Sequence, residues 1–259
     1  MERYRVLRID EQLYGCEELP EGQPVLCDVL LEDPAGQRRV LAYPDAELTR
    51  LDIHEGDTVH LCCHTLTKCQ EEHMKEIQSS ALIGLGALGI LFGRKMPGVQ
   101  VIADADRIAR YSASPVVCNG EACHFDYLTP AEGKPVDLIL IAVKATVLEQ
   151  AIRDIAKFVG PDTVILSVLN GITSEEAVEA AYPGHTLWSV AIGMDATRVG
   201  RSLTFGAAGR IQFGEKNGQM TERVRRVADY LDACGIANEP CSDILYKQWN
   251  KLMVNDGLN

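Results

Sequence analysis

The sequence predicts an α/β protein: a parallel sheet covered by helices, preceded by a small β-rich module and followed by the first helix of an α-helical domain. Three observations predict it. Strand and helix signals alternate from about residue 80 onward, a glycine triplet spaced G-x-G-x-x-G follows the first of those strands, and the residues before about 74 carry strand and turn signals.

The size and composition fit that class. A chain of 259 residues has room for two domains at roughly 100–200 residues each. With 46% hydrophobic and 24% charged residues it resembles neither a disordered nor a fibrous protein. A net charge of −12 opposes broad contact with phosphate backbones or anionic lipid, so neither nucleic acid nor a membrane is an expected partner. The charged N-terminus leads into no apolar segment, and the longest apolar run, residues 81–93, falls short of the ~18 residues of a membrane span. A cytoplasmic location is expected. Nine cysteines, an odd number at irregular spacing, read as reduced thiols.

Taken in order, residues 24–31 read as a strand, residues 33–36 as a turn and residues 38–43 as a returning strand. A turn signal at Glu55, Gly56 and Asp57 precedes a further strand over 58–62. Residues 1–73 are therefore expected as a small β-rich module of unknown role, a few strands curled into a half-barrel. His60, Cys62, Cys63, His64, Cys69 and His73 fall close together, but their spacing matches no zinc pattern and vicinal cysteines rarely share one ion. No metal site is expected. Residues 71–80 have the composition of a linker, and Met74, Lys75 and Glu76 read like the start of a second protein fused to the module.

Beyond the linker, strands are expected at 81–83, 99–103, 136–143, 164–168 and 186–191, with helices between them. Within 116–125 the pair Asn119 and Gly120 marks a hairpin through a type I′ turn, which needs positive φ at both central residues. The first strand runs into Gly84, Gly86 and Gly89, with Leu85, Ala87 and Leu88 between them. Gly84 permits the tight turn, Gly86 lets the backbone approach a pyrophosphate, and Gly89 allows close helix–strand packing, while the helix N-terminus offers N–H groups to the anion. This makes the domain Rossmann-type.

Asp104 follows at the end of the next strand and suits a ribose 2′-OH, whereas Arg107 and Arg110 suit a 2′-phosphate; Asp104 or Asp106 equally suits a helix cap. Lys144 stands just past the apolar run 136–143, and Asn170 just past 164–168. Both therefore lie at the sheet edge where ligands of open α/β sheets bind. Residues 243–259 read as a helix capped by Ser242 or Asp243, with Lys251, Asn255 and Asn259 in one stripe at four-residue spacing. Such a stripe is either an oxyacid-recognition surface or a solvated face.

The segments GLGALG (84–89), AVK (142–144), LNGI (169–172) and WNKLMVN (249–255), with Asn259 beyond, resemble ketopantoate reductases (2-dehydropantoate 2-reductases) in order and spacing. IGMDATRVG (192–200) and RIQFGE (210–215) are similar to the strands that complete that family's first domain. The resemblance covers Met74–Asn259 and leaves residues 1–73 aside. It implies NADPH-dependent reduction of 2-dehydropantoate to pantoate, on the route to pantothenate and coenzyme A. A small 2-oxo acid would be the partner and NADP(H) the favoured cofactor, with NAD(H) still open and a homodimer compatible. Lys251 would act as general acid, Asn255 and Asn259 would bind substrate, and Lys144 and Asn170 would contact the coenzyme with the loop 84–89.

The implied domains are a β-rich module over 1–73, an NADP-binding Rossmann-type domain over 74–242 and the start of a helical substrate and dimerisation domain over 243–259. Two departures stand out. Leu169 occupies a place where many members carry a polar residue, and the sequence stops within the first helix of the helical domain, short of the serine and glutamate that engage substrate in the family. The helical domain is thus expected to be truncated. A reductase of a related 2-oxo acid, or a catalytically impaired coenzyme-binding remnant, is the alternative.

Overall fold

The structure, a computed structural model, describes residues 2–12, 24–62, 64–68 and 75–258, with the backbone alone for Glu2 and for residues 255–258. Two compact units divide the chain, Met1–His73 and Met74–Asn259.

In the first unit β1 (Glu2–Glu11), β2 (Leu26–Glu32), β3 (Arg38–Pro44), β4 (Thr58–Cys62) and β5 (Thr65–Lys68) form an antiparallel sheet in the order β3-β2-β1-β4-β5, with α1 (Asp45–Arg50) between β3 and β4. The turn after β2 closes where the Asp33 carboxylate accepts from the amides of Ala35 and Gln37, and Gly36 takes φ 81°. Alternate residues of β2 are buried, and Val6, Val29, Leu31, Val59 and Leu66 make the unit's own core. β1, β5 and α1 go beyond the sequence expectation. In β1 the alternation Arg3, Tyr4, Arg5, Val6 is broken by a register shift against β2 between Val6 and Arg8, and β5 has only four residues. Cys63, Cys69 and His73 lie outside the described residues, and no group of three or more potential metal ligands occurs among those described.

The second unit runs β6 (Ser80–Ile83), α2 (Ala87–Gly93), β7 (Gln100–Ile102), α3 (Ala105–Ala113), β8 (Val116–Cys118), β9 (Glu121–Cys123), β10 (Asp126–Leu128), β11 (Val136–Ile141), α4 (Leu148–Asp154), β12 (Val159–Ser167), α5 (Ser174–Ala181), β13 (Thr186–Val199), β14 (Ser202–Gly214), α6 (Glu222–Ala233), β15 (Asn238–Pro240) and α7 (Ile244–Leu258). Its sheet has the order β10-β7-β6-β11-β12-β13-β14-β8-β9, with β15 beside β14. Every pair from β10 to β13 is parallel. β11 is central and buried on both faces: Leu138 and Leu140 enter one apolar cluster, Ile139 and Ile141 the other.

The α/β class with its parallel-dominated sheet stands as expected, with one extension and two corrections. The sheet is mixed, because only two residues separate β13 from β14 and so short a link makes an antiparallel hairpin. The strand expected to end at Ala191 therefore continues to Val199. Residues 77–79 are tied to the sheet and do not belong to a free linker: Ile77 is buried, and the amides of Gln78 and Ser79 donate to the Asp137 carboxylate at 2.9 and 2.8 Å. The hairpin at Asn119 and Gly120 stands as expected, with φ 48° and 87°. No helix among the described residues is long and apolar enough to cross a membrane.

Candidate active site

The glycine loop links β6 to α2, and its three glycines have different reasons to be there. Gly84 has φ 99°, and a Cβ on it would lie 2.6 Å from the Ala142 carbonyl oxygen. A Cβ on Gly89 would lie 1.9 Å from the Gly84 carbonyl oxygen. Both are demanded by backbone packing. At Gly86 a Cβ would meet only the Ala142 carbonyl oxygen, at 3.4 Å, so its open side is the space above the loop. Gly86 also precedes α2 as its N-cap.

That space is a cleft of about 700 Å³. Gly84, Leu85, Gly86, Ala87 and Leu88 floor it, while Lys144 and Asn170 come in from beyond the ends of β11 and β12; Gly89 is buried and does not line it. Arg107 and Arg110 reach it from α3, and Arg198 and Arg201 from the tip of the β13–β14 hairpin. The lining therefore carries five cations and no carboxylate, in a chain whose net charge is −12. Such a concentration of one sign focuses the potential for a polyanion. The sequence reading missed Arg198 and Arg201 because only the fold brings them to the loop. The Arg198 guanidinium donates to the Leu85 carbonyl, and Arg201 donates to the Ser114 carbonyl.

Asp104 is not part of this lining. Its carboxylate caps α3, accepting from the Arg107 amide at 2.8 Å, and pairs with the Arg107 guanidinium at 3.2 Å. Of its two sequence readings, the structure displays the cap. Helix α3 accordingly starts at Ala105.

A second cleft of about 580 Å³ adjoins the sheet edge and is lined by Gln212, Lys247, Asn250, Lys251 and the apolar Ile192, Met194 and Val254 among others. Asn170 lines both clefts. At this junction Lys251 is turned inward from α7: its Nζ donates to Asn170 Oδ1 at 2.9 Å and to the Ala191 carbonyl at 2.6 Å. Burial pushes its pKa down, because a desolvated ammonium loses hydration. The structure does not describe the Asn255 side chain, and Asn259 lies outside the described residues. On α7, Leu245, Trp249 and Met253 are exposed, while Gln248 is buried at 3% exposure.

Gln248 leads to a polar cluster that the sequence does not announce. Glu175, in the first turn of α5, is 1% exposed and accepts from Gln248 Nε2 at 2.9 Å, from Ser174 Oγ at 2.8 Å and from the Ser189 amide at 3.3 Å. Burial drives its carboxyl up to about 7 against the pull of those donors. A glutamate in the first turn of a helix ordinarily reads as a solvated dipole partner, so only the tertiary packing reveals this one.

With this geometry established, the similarities to known proteins take on residue-level meaning. The family model described as ketopantoate reductase PanE/ApbA matches residues 80–218, which include the glycine loop, Lys144 and Asn170. A 2-dehydropantoate 2-reductase of Streptococcus pyogenes is 25% identical over 193 residues, covering 69% of this chain and 61% of that relative. The crystal structure of 2-dehydropantoate 2-reductase from Geobacter metallireducens superposes with a TM-score of 0.60 at 26% identity, covering 68% of this chain and 62% of that one. A D-mandelate dehydrogenase solved with NADH and anilino(oxo)acetate shares the fold, with a TM-score of 0.58 at 22% identity over 68% of this chain and 61% of that one. The chain thus spans about 61% of the length of the curated relative it matches.

Proposed function

The chain belongs to the ketopantoate reductase PanE/ApbA family, and from that premise we propose that it binds NADP(H) in the first cleft and reduces 2-dehydropantoate to pantoate in the second. The observation that carries this reading is the Lys251 amine, half-buried where the two clefts meet and held by Asn170, the residue they share.

The residues present fit a dinucleotide phosphate. Gly86 leaves room for a pyrophosphate over the loop, and five cations with no carboxylate suit a coenzyme carrying several phosphate charges. Arg107 and Arg110 would take the 2′-phosphate, which favours NADP(H) over NAD(H), while Asp104 stays committed to its cap. Lys144 and Asn170 would hold the coenzyme at the end nearer the junction. When bound, a nicotinamide supplies hydride to a carbonyl carbon.

The chain's own part is to manage the charge that develops on the carbonyl oxygen. Lys251 has three N–H donors; two are engaged by Asn170 and Ala191, which leaves the third for a substrate oxygen. A fixed ammonium there stabilises the forming alkoxide and then protonates it. Its lowered pKa makes that proton easier to release. Lys247, Asn250 and Gln212 offer further polar contacts to a carboxylate, with Asn255 proposed from the resemblance as another and Asn259 likewise. The apolar Ile192, Met194 and Val254 suit other branched or aromatic 2-oxo acids as well, so a reductase of such an acid is the second reading. Assembly as a homodimer rests on the family resemblance and is tested by sedimentation equilibrium.

The test is NADPH oxidation with 2-dehydropantoate beside a panel of 2-oxo acids, and again with NADH. Turnover with 2-dehydropantoate and NADPH is expected to be fastest. Lys251→Ala is expected to lower kcat by ~10²–10⁴-fold while NADPH affinity holds. Turnover unchanged in Lys251→Ala would remove the acid role, and NADPH binding without any turnover would reduce the chain to a coenzyme-binding module.

A further inference from the structure

Behind Lys251 lies a buried polar cluster that neither cleft uses. Ser167 at the end of β12, Ser174 and Glu175 at the start of α5, Ser189 of β13 and Gln248 of α7 are each less than 5% exposed. Ser167 Oγ donates to Ser174 Oγ at 2.9 Å, and Ser174 Oγ donates to Glu175 Oε2. Ser189 Oγ donates to the Ser167 carbonyl at 2.6 Å. Glu175 Oε1 then receives both the Ser189 amide and Gln248 Nε2, and Gln248 Nε2 also reaches the Ser189 carbonyl at 3.0 Å.

The location explains why such a cluster is needed. β12 pairs with β13 only at Thr186 and Leu187, so beyond them β13 loses its parallel neighbour. Ser189 turns both amide and carbonyl to that side, where Glu175 and Gln248 satisfy them in place of a strand. Two residues along β13, the Ala191 carbonyl is taken by Lys251, which follows Gln248 by three residues on the same face of α7. Gln248 and Lys251 are thus two successive pins fixing α7 to the open edge of β13.

We propose that Glu175 is a positioning residue, its buried carboxyl holding Gln248 on Ser189 and thereby setting the depth and placement of Lys251 against Asn170. The proposal rests on the reading of Lys251 as the working amine. A carboxylate buried among neutral donors is costly, and an apolar residue would stabilise the fold at least as well. The geometry it imposes accounts for a carboxyl at this place. Charged neighbours on the packed elements are engaged elsewhere: Glu176 pairs with Lys216, Glu179 accepts from the Gly184 amide, and Lys247 pairs with Glu239.

The test reads Lys251 directly and needs no turnover. Selective ¹³C labelling of the lysine side chains in the full chain, with Lys251→Arg assigning the signal, gives the titration of the unmodified Lys251 amine through its ¹³Cε shift by NMR, and circular dichroism reports the fold. In the unaltered chain Lys251 is expected to titrate below the other lysines. Glu175→Ala should move it up, toward the titration of the solvated lysines in the same spectrum. Glu175→Gln retains a carbonyl acceptor for Gln248 and should restore the original titration. Gln248→Met cuts the same link from the helix side and is the variant to read if Glu175→Ala does not fold. An unchanged Lys251 titration in a folded variant lacking the link overturns the proposal, and so does Glu175→Gln behaving like Glu175→Ala, since charge and not the pin would then be at work. Failure to reduce any 2-oxo acid would leave this titration result standing, so the two readings fail separately.

Discussion

Glu175 takes a proton more readily in the folded chain than in the unfolded one, because burial holds its carboxyl at about 7 against an ordinary 4.5. A raised acid contributes stability that is fully present below its unfolded pKa and is lost as pH rises through the folded value. The loss is on the order of 3 kcal/mol, at about 1.4 kcal/mol per tenfold change in proton affinity. Urea unfolding at about pH 4.5 and about pH 8 should show the unaltered chain losing roughly that much relative to Glu175→Gln. Parallel pH profiles for the two proteins would contradict the buried-carboxyl account. Gly89 belongs to the same scale: a Cβ there would lie 1.9 Å from a backbone oxygen, so Gly89→Ala should cost ~1–3 kcal/mol as an overpacked contact, read as a lower urea midpoint. A midpoint equal to that of the unaltered chain would refute the packing role.

Among the elements, the β13–β14 hairpin does more than extend the sheet. Its tip delivers Arg198 and Arg201 to the cleft over the glycine loop, and if that cleft holds the coenzyme as proposed, removing both charges should weaken NADPH binding and flatten its dependence on ionic strength, because exposed charge attraction is screened by salt. Titration of the Arg198→Gln, Arg201→Gln double variant at low and high salt checks this; an unaltered salt slope would remove the hairpin from the site. The contrast between this hairpin and the one at Asn119 shows what a sequence discloses. Asn119 and Gly120 force a turn through their own backbone preference, and the G-x-G-x-x-G spacing is likewise local, so both are legible. Arg198 stands 113 residues from Leu85, and nothing in its neighbours points to the loop it touches. The inward turn of Gln248 was equally hidden, since a glutamine on a helix reads as a solvated face until the strand edge it satisfies is known. Asp104 was legible only as a pair of alternatives, of which the structure displays the cap, accepting from the amide of Arg107.

Across the whole molecule, each of the two compact units has its own apolar core. Leu66 is fully buried in the core of the first unit, so Leu66→Ala should destabilise that unit by ~2–5 kcal/mol and leave NADPH affinity where it was. Calorimetry with a parallel binding titration reads both effects, and a fall in affinity would show the units to be coupled. The central claim concerns the second unit, whose glycine loop, cation-lined cleft and inward lysine form one site. Gly86→Val tests it most directly, because a Cβ there would meet, beyond its chain neighbours, only the Ala142 carbonyl oxygen at 3.4 Å, and the rest of the side chain would extend into the cleft. The account predicts that NADPH binding, followed by its fluorescence, is lost while the circular dichroism spectrum and the melting temperature stay near those of the unaltered chain. A folded Gly86→Val protein that binds NADPH with unchanged affinity would contradict it.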